Sequence, residues 1–248
     1  MKYIIVIIAA LLIMVGIGAL YLQDYYHADT AAIAYLQSDA QVTVSQIDQG
    51  WLFDGPGTRS AAVFYPGGKV EETAYAPLMN QLAAGGMDCF LVKMPFRIAL
   101  MGSDTAEELL STYNYDDWCM MGHSLGAVAA ASFTAEHAKA GQAEGEHAGE
   151  ISGLVLLAGY PTEAIGEDTK LLSIYGDRDG CLNMDAYQKS KQMWPKDAAE
   201  EVIKGGNHAQ FGCYGKQKGD GEAAISAADQ QQITVNVILQ WIQTAEVF

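Results

Sequence analysis

Short, continuous apolar runs recur along most of this sequence, and they constrain its fold more than any other feature. Glycine, proline or charged residues bound each run, and a segment with helical spacing follows most of them. Apolar strands that alternate with helices form a parallel sheet covered on both faces. The sequence therefore predicts an α/β fold with a mostly parallel, doubly wound sheet flanked by helices. The predicted strands of that sheet lie in SAAVFYPGG, MDCFLVKMP, DDWCMMG, ISGLVLLAGYP, KLLSIYG and AEEVIKGG.

Other segments complete this outline. VTVSQID and GWLFDG predict an antiparallel hairpin ahead of the parallel strands, because the first alternates and the second is aromatic. The predicted helices lie in TAYAPLMNQLAAGG, HSLGAVAAASFTAEHAKAG, MDAYQKSKQMW and AADQQQITVNVILQWIQTA.

An uncharged segment, Tyr3 to Leu22, precedes this domain. About 20 such residues suffice to span a bilayer, and Lys2 before them places the remaining chain outside the cytoplasm. The alternative is a cleaved signal peptide and a secreted protein. We interpret residues 1–23 as a transmembrane signal-anchor, 24–40 as a linker or stalk, and 41–248 as the folded domain.

The net charge of −16 limits the possible partners. A nucleic-acid binder would have to overcome phosphate repulsion, and no basic run compensates for it. An anionic membrane surface would also repel the chain. The sequence therefore predicts no nucleic-acid partner, and membrane contact only through the N-terminal helix.

The stretch MGHSLGA places Ser124 between Gly122 and Gly126, after a predicted strand and before an alanine-rich helix. A sharp strand–turn–helix bend needs small residues because its two backbones touch, and it presents the serine hydroxyl at the end of the sheet. The helix N-terminus also favours negative charge there. We interpret Ser124 as a nucleophile; the alternative is a small residue in a tight turn.

A serine nucleophile needs a base, and this chain has five histidines. His208 directly follows the last predicted strand, at the sheet edge where ligands bind in open α/β sheets. We therefore predict His208 as the base. The other four occupy less suitable places: His27 near the N-terminal segment, His123 within the turn, His137 late on a helix, and His147 in a polar loop.

The base needs a carboxylate that orients it, and YGDRDG supplies two. We predict Asp179, which lies further out on the loop, and assign loop hydrogen bonds to Asp177. An oxyanion hole needs two backbone N–H donors. We predict that the N–H of Leu125, directly after the nucleophile, is one donor. The N–H of Gly68 is the predicted second donor, with Lys69 as runner-up.

These motifs resemble the α/β-hydrolase family. From about Ala61 onward, FYPGGKVEETAY, GHSLGA, YGDRDG and GGNHAQFG occur in the order of that family. The chain is most similar to the compact subgroup that includes dienelactone hydrolase-like proteins. The resemblance implies a serine hydrolase with Ser124, Asp179 and His208 as its triad. Pro66 stands where the family often has a histidine before the glycines of the oxyanion loop. Dienelactone hydrolases themselves use a cysteine nucleophile, so their substrate is not carried over to this chain.

The resemblance also bears on the shape of the site. Lidded lipases insert a helical cap after the sixth strand, whereas only TEAIGEDT joins the corresponding runs here. We therefore expect no cap and an open site bordered by PFRIALMGSDTAEELLSTYNY, which suits small or accessible acyl substrates. No histidine or cysteine pair has ligand spacing, so we expect neither a metal nor a cofactor.

Four cysteines complete the set of reactive side chains. Cys89 and Cys119 lie in predicted strands and are expected to behave as small buried hydrophobes. Cys181 and Cys213 follow the predicted acid and base. In an oxidising exterior they could form a disulfide that braces those loops. The alternative is two free thiols.

The leading function is hydrolysis of a carboxylic ester or related acyl bond through an acyl-enzyme. Acyl transfer on the same fold is a second interpretation. The third is a surface binding protein without catalysis, since fold alone does not establish an activity. The Ser, Asp, His order favours an enzyme.

Overall fold

The computed structural model describes residues 2–57, 60–144, 150–245 and 247. They form one eight-stranded sheet with the order β1-β2-β4-β3-β5-β6-β7-β8. The strands are β1 Thr43–Ile47, β2 Gly50–Asp54, β3 Ser60–Tyr65, β4 Asp88–Val92, β5 Asp117–His123, β6 Glu150–Leu157, β7 Lys170–Gly176 and β8 Ala199–Ile203. The helices are α1 Lys2–Gln23, α2 Thr30–Ile33, α3 Ala76–Ala84, α4 Thr105–Thr112, α5 Leu125–Glu144, α6 Met184–Ser190 and α7 Ala227–Thr244.

The sheet confirms the predicted fold class. β1 and β2 form the predicted antiparallel hairpin, β2 pairs antiparallel with β4, and all later pairings are parallel. Apolar side chains on α3 and α7, such as Leu78 and Ile238, pack in one core cluster on one face. Leu109 on α4 and Ala130 on α5 belong to a second cluster on the other face. Burial on both faces explains why the central strands read as continuous apolar runs.

Strand register brings the predicted site residues to one edge. β3 and β5 pair up to Tyr65 and Gly122, so the turn after β3 lies beside the start of α5. β7 and β8 pair up to Gly176 and Ile203, so the loops after them are also neighbours. The connection from β6 to β7, residues 158–169, contains no helix, in agreement with the expected absence of a cap.

The predicted membrane anchor is wrong. α1 forms over Lys2–Gln23, but no helix in the described parts of the chain is long and apolar enough to cross a membrane. The prediction was inferred from an apolar, uncharged run in the sequence, and such a run also occurs in helices that do not span a bilayer. The extracytoplasmic location was inferred for an anchor and for a cleaved signal peptide alike, and it stays a prediction.

The segment after α1 lies against the domain. The Tyr26 N–H donates to the Lys69 carbonyl at 2.8 Å, and the Glu71 N–H donates to the Tyr26 carbonyl at 2.9 Å. The Lys218 N–H donates to the Tyr26 hydroxyl at 3.1 Å. Ala32 of α2 is fully buried. This segment therefore holds the turn after β3 from outside.

Candidate active site

Ser124 occupies the bend between β5 and α5. Its φ of 55° lies in the left-handed region, which is strained for a residue with a side chain. The Ser124 N–H donates to the Leu157 carbonyl at 2.9 Å, and its own carbonyl accepts from Ala127 at 3.0 Å. These bonds hold the strained residue between β6 and the first turn of α5.

The two glycines that flank Ser124 allow this bend. A methyl group at Gly122 would overlap the Gly126 carbonyl, and one at Gly126 would overlap the Tyr65 carbonyl. Neither neighbour can yield, because both are backbone atoms of packed elements. The glycines are therefore explained by the close backbone approach inferred from the sequence.

His208 and Asp179 form a buried pair on adjacent loops. Nδ1 of His208 lies 2.8 Å from Oδ2 of Asp179, and both side chains are almost fully buried. The other carboxylate oxygen of Asp179 accepts from the N–H groups of Cys181 at 2.8 Å and Leu182 at 2.7 Å. Asp177 instead accepts from the Gly205 N–H at 2.7 Å. The geometry thus brings Asp179, and not Asp177, to the histidine.

Ser124 and His208 line the same cavity. Its volume is about 230 Å³, and Leu125, Tyr160 and Asn183 also contribute to its wall. Nε2 of His208 is buried and has no hydrogen-bond partner among the described residues. An imidazole with Nδ1 held by a carboxylate and Nε2 unpaired beside a serine has the arrangement of a general base.

The two predicted oxyanion donors are neighbours. A methyl group at Gly68 would lie 3.0 Å from Leu125 Cδ2, so the turn after β3 approaches the start of α5 closely. Leu125 is the first residue of α5, where backbone N–H groups have no partner within the helix. The Lys69 N–H already donates to the Arg97 carbonyl at 2.8 Å. Gly68 is therefore better suited than Lys69 to donate to a ligand.

His123 is enclosed behind the cavity. The Tyr75 hydroxyl accepts from the Gly67 N–H at 3.1 Å and is hydrogen-bonded with Nδ1 of His123 at 2.7 Å. The His123 and His208 rings lie 4.6 Å apart between centroids. Burial lowers the pKa of His123 well below its usual value. A neutral His123 thus lies between Tyr75 and His208, and the sequence carried no signal for the contacts of Tyr75.

The burial of His123 predicts a stability loss in mild acid. The unfolded chain takes up this proton near pH 6.5, whereas the folded chain does so only at lower pH. The unfolded state binds more protons, so the free energy of unfolding falls below that pH, by up to about 1.4 kcal/mol per pH unit. Urea unfolding of the parent and His123→Asn at several pH values measures this slope. We expect a shallower slope for the variant; equal slopes would contradict the prediction.

Two of the four cysteines are buried, and the other two are partly exposed. Cys89 and Cys119 are free and buried, as predicted. Cys181 and Cys213 are also free, and the disulfide between them is not formed. Their sulfurs accept from different side chains, Gln217 at 3.4 Å and Gln231 at 3.2 Å. The structure therefore agrees with the alternative prediction, in which Cys181 and Cys213 are two free thiols.

One group of side chains has the atoms of a metal site. Ligand-type atoms of Asp179, Cys181 and Asp220 lie within 4.8 Å of one another. Both oxygens of Asp220 already accept backbone hydrogen bonds, and Asp179 is engaged with His208. These bonds account for the carboxylates without a cation.

His147 lies outside the described residues.

Comparisons with known proteins agree with this architecture. Residues 61–232 match the sequence profile of a family described as the alpha/beta hydrolase family. No curated protein matches the sequence significantly. A hyperthermophilic esterase from the archaeon Pyrobaculum calidifontis superposes with a TM-score of 0.58 at 14% identity, over 88% of this chain and 91% of that one. Carboxyl esterase 2 from the fungus Tuber melanosporum gives 0.58 at 11% identity, over 90% and 91%. TT1662 from Thermus thermophilus gives 0.56 at 14%, over 82% and 98%.

Proposed function

Because this chain belongs to the alpha/beta hydrolase family, we propose that it hydrolyses a carboxylic ester through Ser124, His208 and Asp179. The observation that carries the proposal is the 2.8 Å contact between buried His208 and Asp179 beside a cavity that also contains Ser124. The esterases among the superposed structures support the same reaction class. The dienelactone hydrolase-like subgroup stays a prediction.

The reaction begins with attack of Ser124 Oγ on the acyl carbonyl carbon. His208 Nε2 takes the hydroxyl proton, and the Asp179 carboxylate stabilises the imidazolium through Nδ1. The N–H groups of Leu125 and Gly68 hold the negative oxygen of the tetrahedral intermediate. The imidazolium then protonates the leaving alcohol as the ester C–O bond breaks, which leaves an acyl group on Ser124.

Water completes the cycle. His208 Nε2 removes a proton from the water, whose oxygen attacks the acyl carbonyl and forms a second tetrahedral intermediate. The intermediate releases the carboxylic acid, and the proton returns to Ser124. Every proton transfer uses Nε2 of His208, the nitrogen that has no hydrogen-bond partner in the described part of the chain.

Covalent labelling tests this assignment. A fluorophosphonate probe should modify the parent protein on the peptide that contains Ser124, as seen by mass spectrometry. Ser124→Ala should not react, while Ser111→Ala, a change at an exposed serine on α4, should react like the parent. Absence of labelling in the parent would favour a binding protein over an enzyme.

The size of the cavity predicts a preference for short acyl chains. Its volume of about 230 Å³ lies below the range of about 300–1,000 Å³ that is usual for ligand pockets, and no cap extends it. Chains beyond the cavity gain little additional burial. We expect kcat/KM on a series of p-nitrophenyl esters to peak at acetyl or butyryl. A steep rise toward long chains would contradict the prediction.

A further inference from the structure

Asp220 binds the backbone of both loops that hold the predicted acid and base. Its Oδ1 accepts from the N–H groups of Gly180 at 3.0 Å, His208 at 3.2 Å and Gly221 at 2.8 Å. Its Oδ2 accepts from the Ala209 N–H at 2.9 Å. Hydrogen bonds from several N–H donors to one ionised acceptor are among the stronger ones in proteins. A single carboxylate thus joins two loops that follow different strands.

The donors lie next to the predicted catalytic side chains. Gly180 directly follows Asp179, and the other two inter-loop donors belong to His208 itself and to Ala209. Asp220 therefore contributes to the spacing between the backbones at 180 and 208, where it acts further from the strands than the bonds from the Arg178 N–H to the Gly206 carbonyl at 2.9 Å and from the Gly205 N–H to Asp177 at 2.7 Å. That spacing sets where the imidazole lies relative to the carboxylate that orients it.

The segment that carries Asp220 packs tightly against the loop that carries Asp179. A methyl group at Gly180 would lie 2.6 Å from the Gly219 carbonyl oxygen, and one at Gly221 would overlap the Arg178 carbonyl. The Asn207 side chain also donates to the Gly221 carbonyl at 2.8 Å. The carboxylate is therefore held in place from both sides.

We propose that Asp220 is a positioning residue that holds His208 and Asp179 in register across the two loops. This inference rests on the proposed function, because it gives the pair a catalytic task. It assigns to a carboxylate the bracing that the Cys181–Cys213 disulfide would have supplied. Asp220 does not touch the reacting atoms; it acts through the backbone that carries His208.

Asp220→Asn replaces one acceptor oxygen with an NH₂ group, which cannot accept from a backbone N–H. If the amide oxygen occupies the Oδ1 position, the Ala209 N–H loses its acceptor; if it occupies the Oδ2 position, the Gly180 and His208 N–H groups lose theirs. In either case the loop that carries His208 loses a hydrogen bond and faces an NH₂ group, so the imidazole shifts. A displacement of about 1 Å in a catalytic group costs about 100-fold in rate. We expect kcat to fall by about that factor, while KM stays within about threefold, because the misplaced imidazole affects proton transfer and not substrate binding.

The test compares Asp220→Asn with Glu222→Gln, which removes the same charge two residues away at an exposed position. Three measurements are made on the full chain: kcat and KM on a short-chain ester, the thermal unfolding curve, and the downfield proton NMR signal of the His208–Asp179 hydrogen bond. We expect Asp220→Asn to lose rate and the downfield signal at a temperature where it is fully folded. Glu222→Gln should keep both.

Parental kcat and a parental downfield signal in Asp220→Asn would overturn the inference. So would a loss of rate that only follows the unfolded fraction. If Asp220→Asn does not fold, Asp220→Glu provides the same test, because it keeps the charge but moves the oxygens by about 1.5 Å; a parental signal and rate there would overturn the inference. Failure of the parent to hydrolyse any ester or react with the fluorophosphonate overturns the proposed function, whereas the NMR comparison still decides the role of Asp220.

Discussion

His208→Ala is expected to lower kcat by about 10⁶-fold. Loss of the base from a serine hydrolase triad costs about as much as loss of the whole triad, since the members act as a unit. The remaining rate then comes from binding and from the oxyanion donors. Steady-state hydrolysis of a short-chain ester measures this loss. Because the imidazole is buried, unfolding of the variant should be measured in parallel.

His27→Ala provides the matched control. His27 is largely exposed and makes a 3.5 Å contact with Glu71, away from the cavity that holds Ser124. We expect its kcat to stay within about threefold of the parent. A loss of less than about 100-fold in a folded His208→Ala protein would mean that another group serves as the base.

Asp179→Asn has the second largest expected effect, a fall in kcat of about 10⁴-fold. Asp179 accepts from the Cys181 and Leu182 N–H groups and contacts His208 through its other oxygen. In the variant the carboxamide NH₂ would face Nδ1 and donate to it. The ring then carries its proton on Nε2, where it cannot accept the proton of Ser124.

Asp177→Asn is the control for that variant, because it removes the same charge two residues earlier. The Asp177 carboxylate accepts from the Gly205 N–H, and an asparagine oxygen can do the same. We expect kcat within about threefold of the parent. Equal losses in the two variants would contradict the assignment of Asp179.

The residues that the sequence predicts share one property: each lies at or shortly after the end of a predicted strand. Ser124, Asp179 and His208 stand at the ends of β5, β7 and β8, and parallel strands bring such ends to one edge. Apolar runs locate the strands, so the same pattern that predicts the fold also predicts where these side chains meet. The predicted oxyanion residues Gly68 and Leu125 meet for the same reason.

Residues that act through long-range contacts carried no comparable signal. Asp220 lies in a polar segment between two glycines, and its 40-residue separation from Gly180 is visible only after folding. Tyr75 looks like one more aromatic residue at the start of a helix. The disulfide was inferred from neighbouring loops, but neighbouring loops do not ensure that two sulfur atoms meet. The membrane anchor was inferred from an apolar, uncharged run, and such a run does not by itself make a membrane span.

The contacts of Tyr26 have a consequence for how the protein is made. The Tyr26 hydroxyl accepts from the Lys218 N–H, a residue 192 positions later, and His208 and Asp220 lie in the same late part of the chain. Synthesis on the ribosome proceeds from the N-terminus, so Ser124 leaves the ribosome long before its base does. The nascent chain therefore carries Ser124 without His208 while the residues between them are synthesised. If these residues act as proposed, the site can form only after the segment with His208 and Asp220 has been synthesised and Lys218 can contact Tyr26.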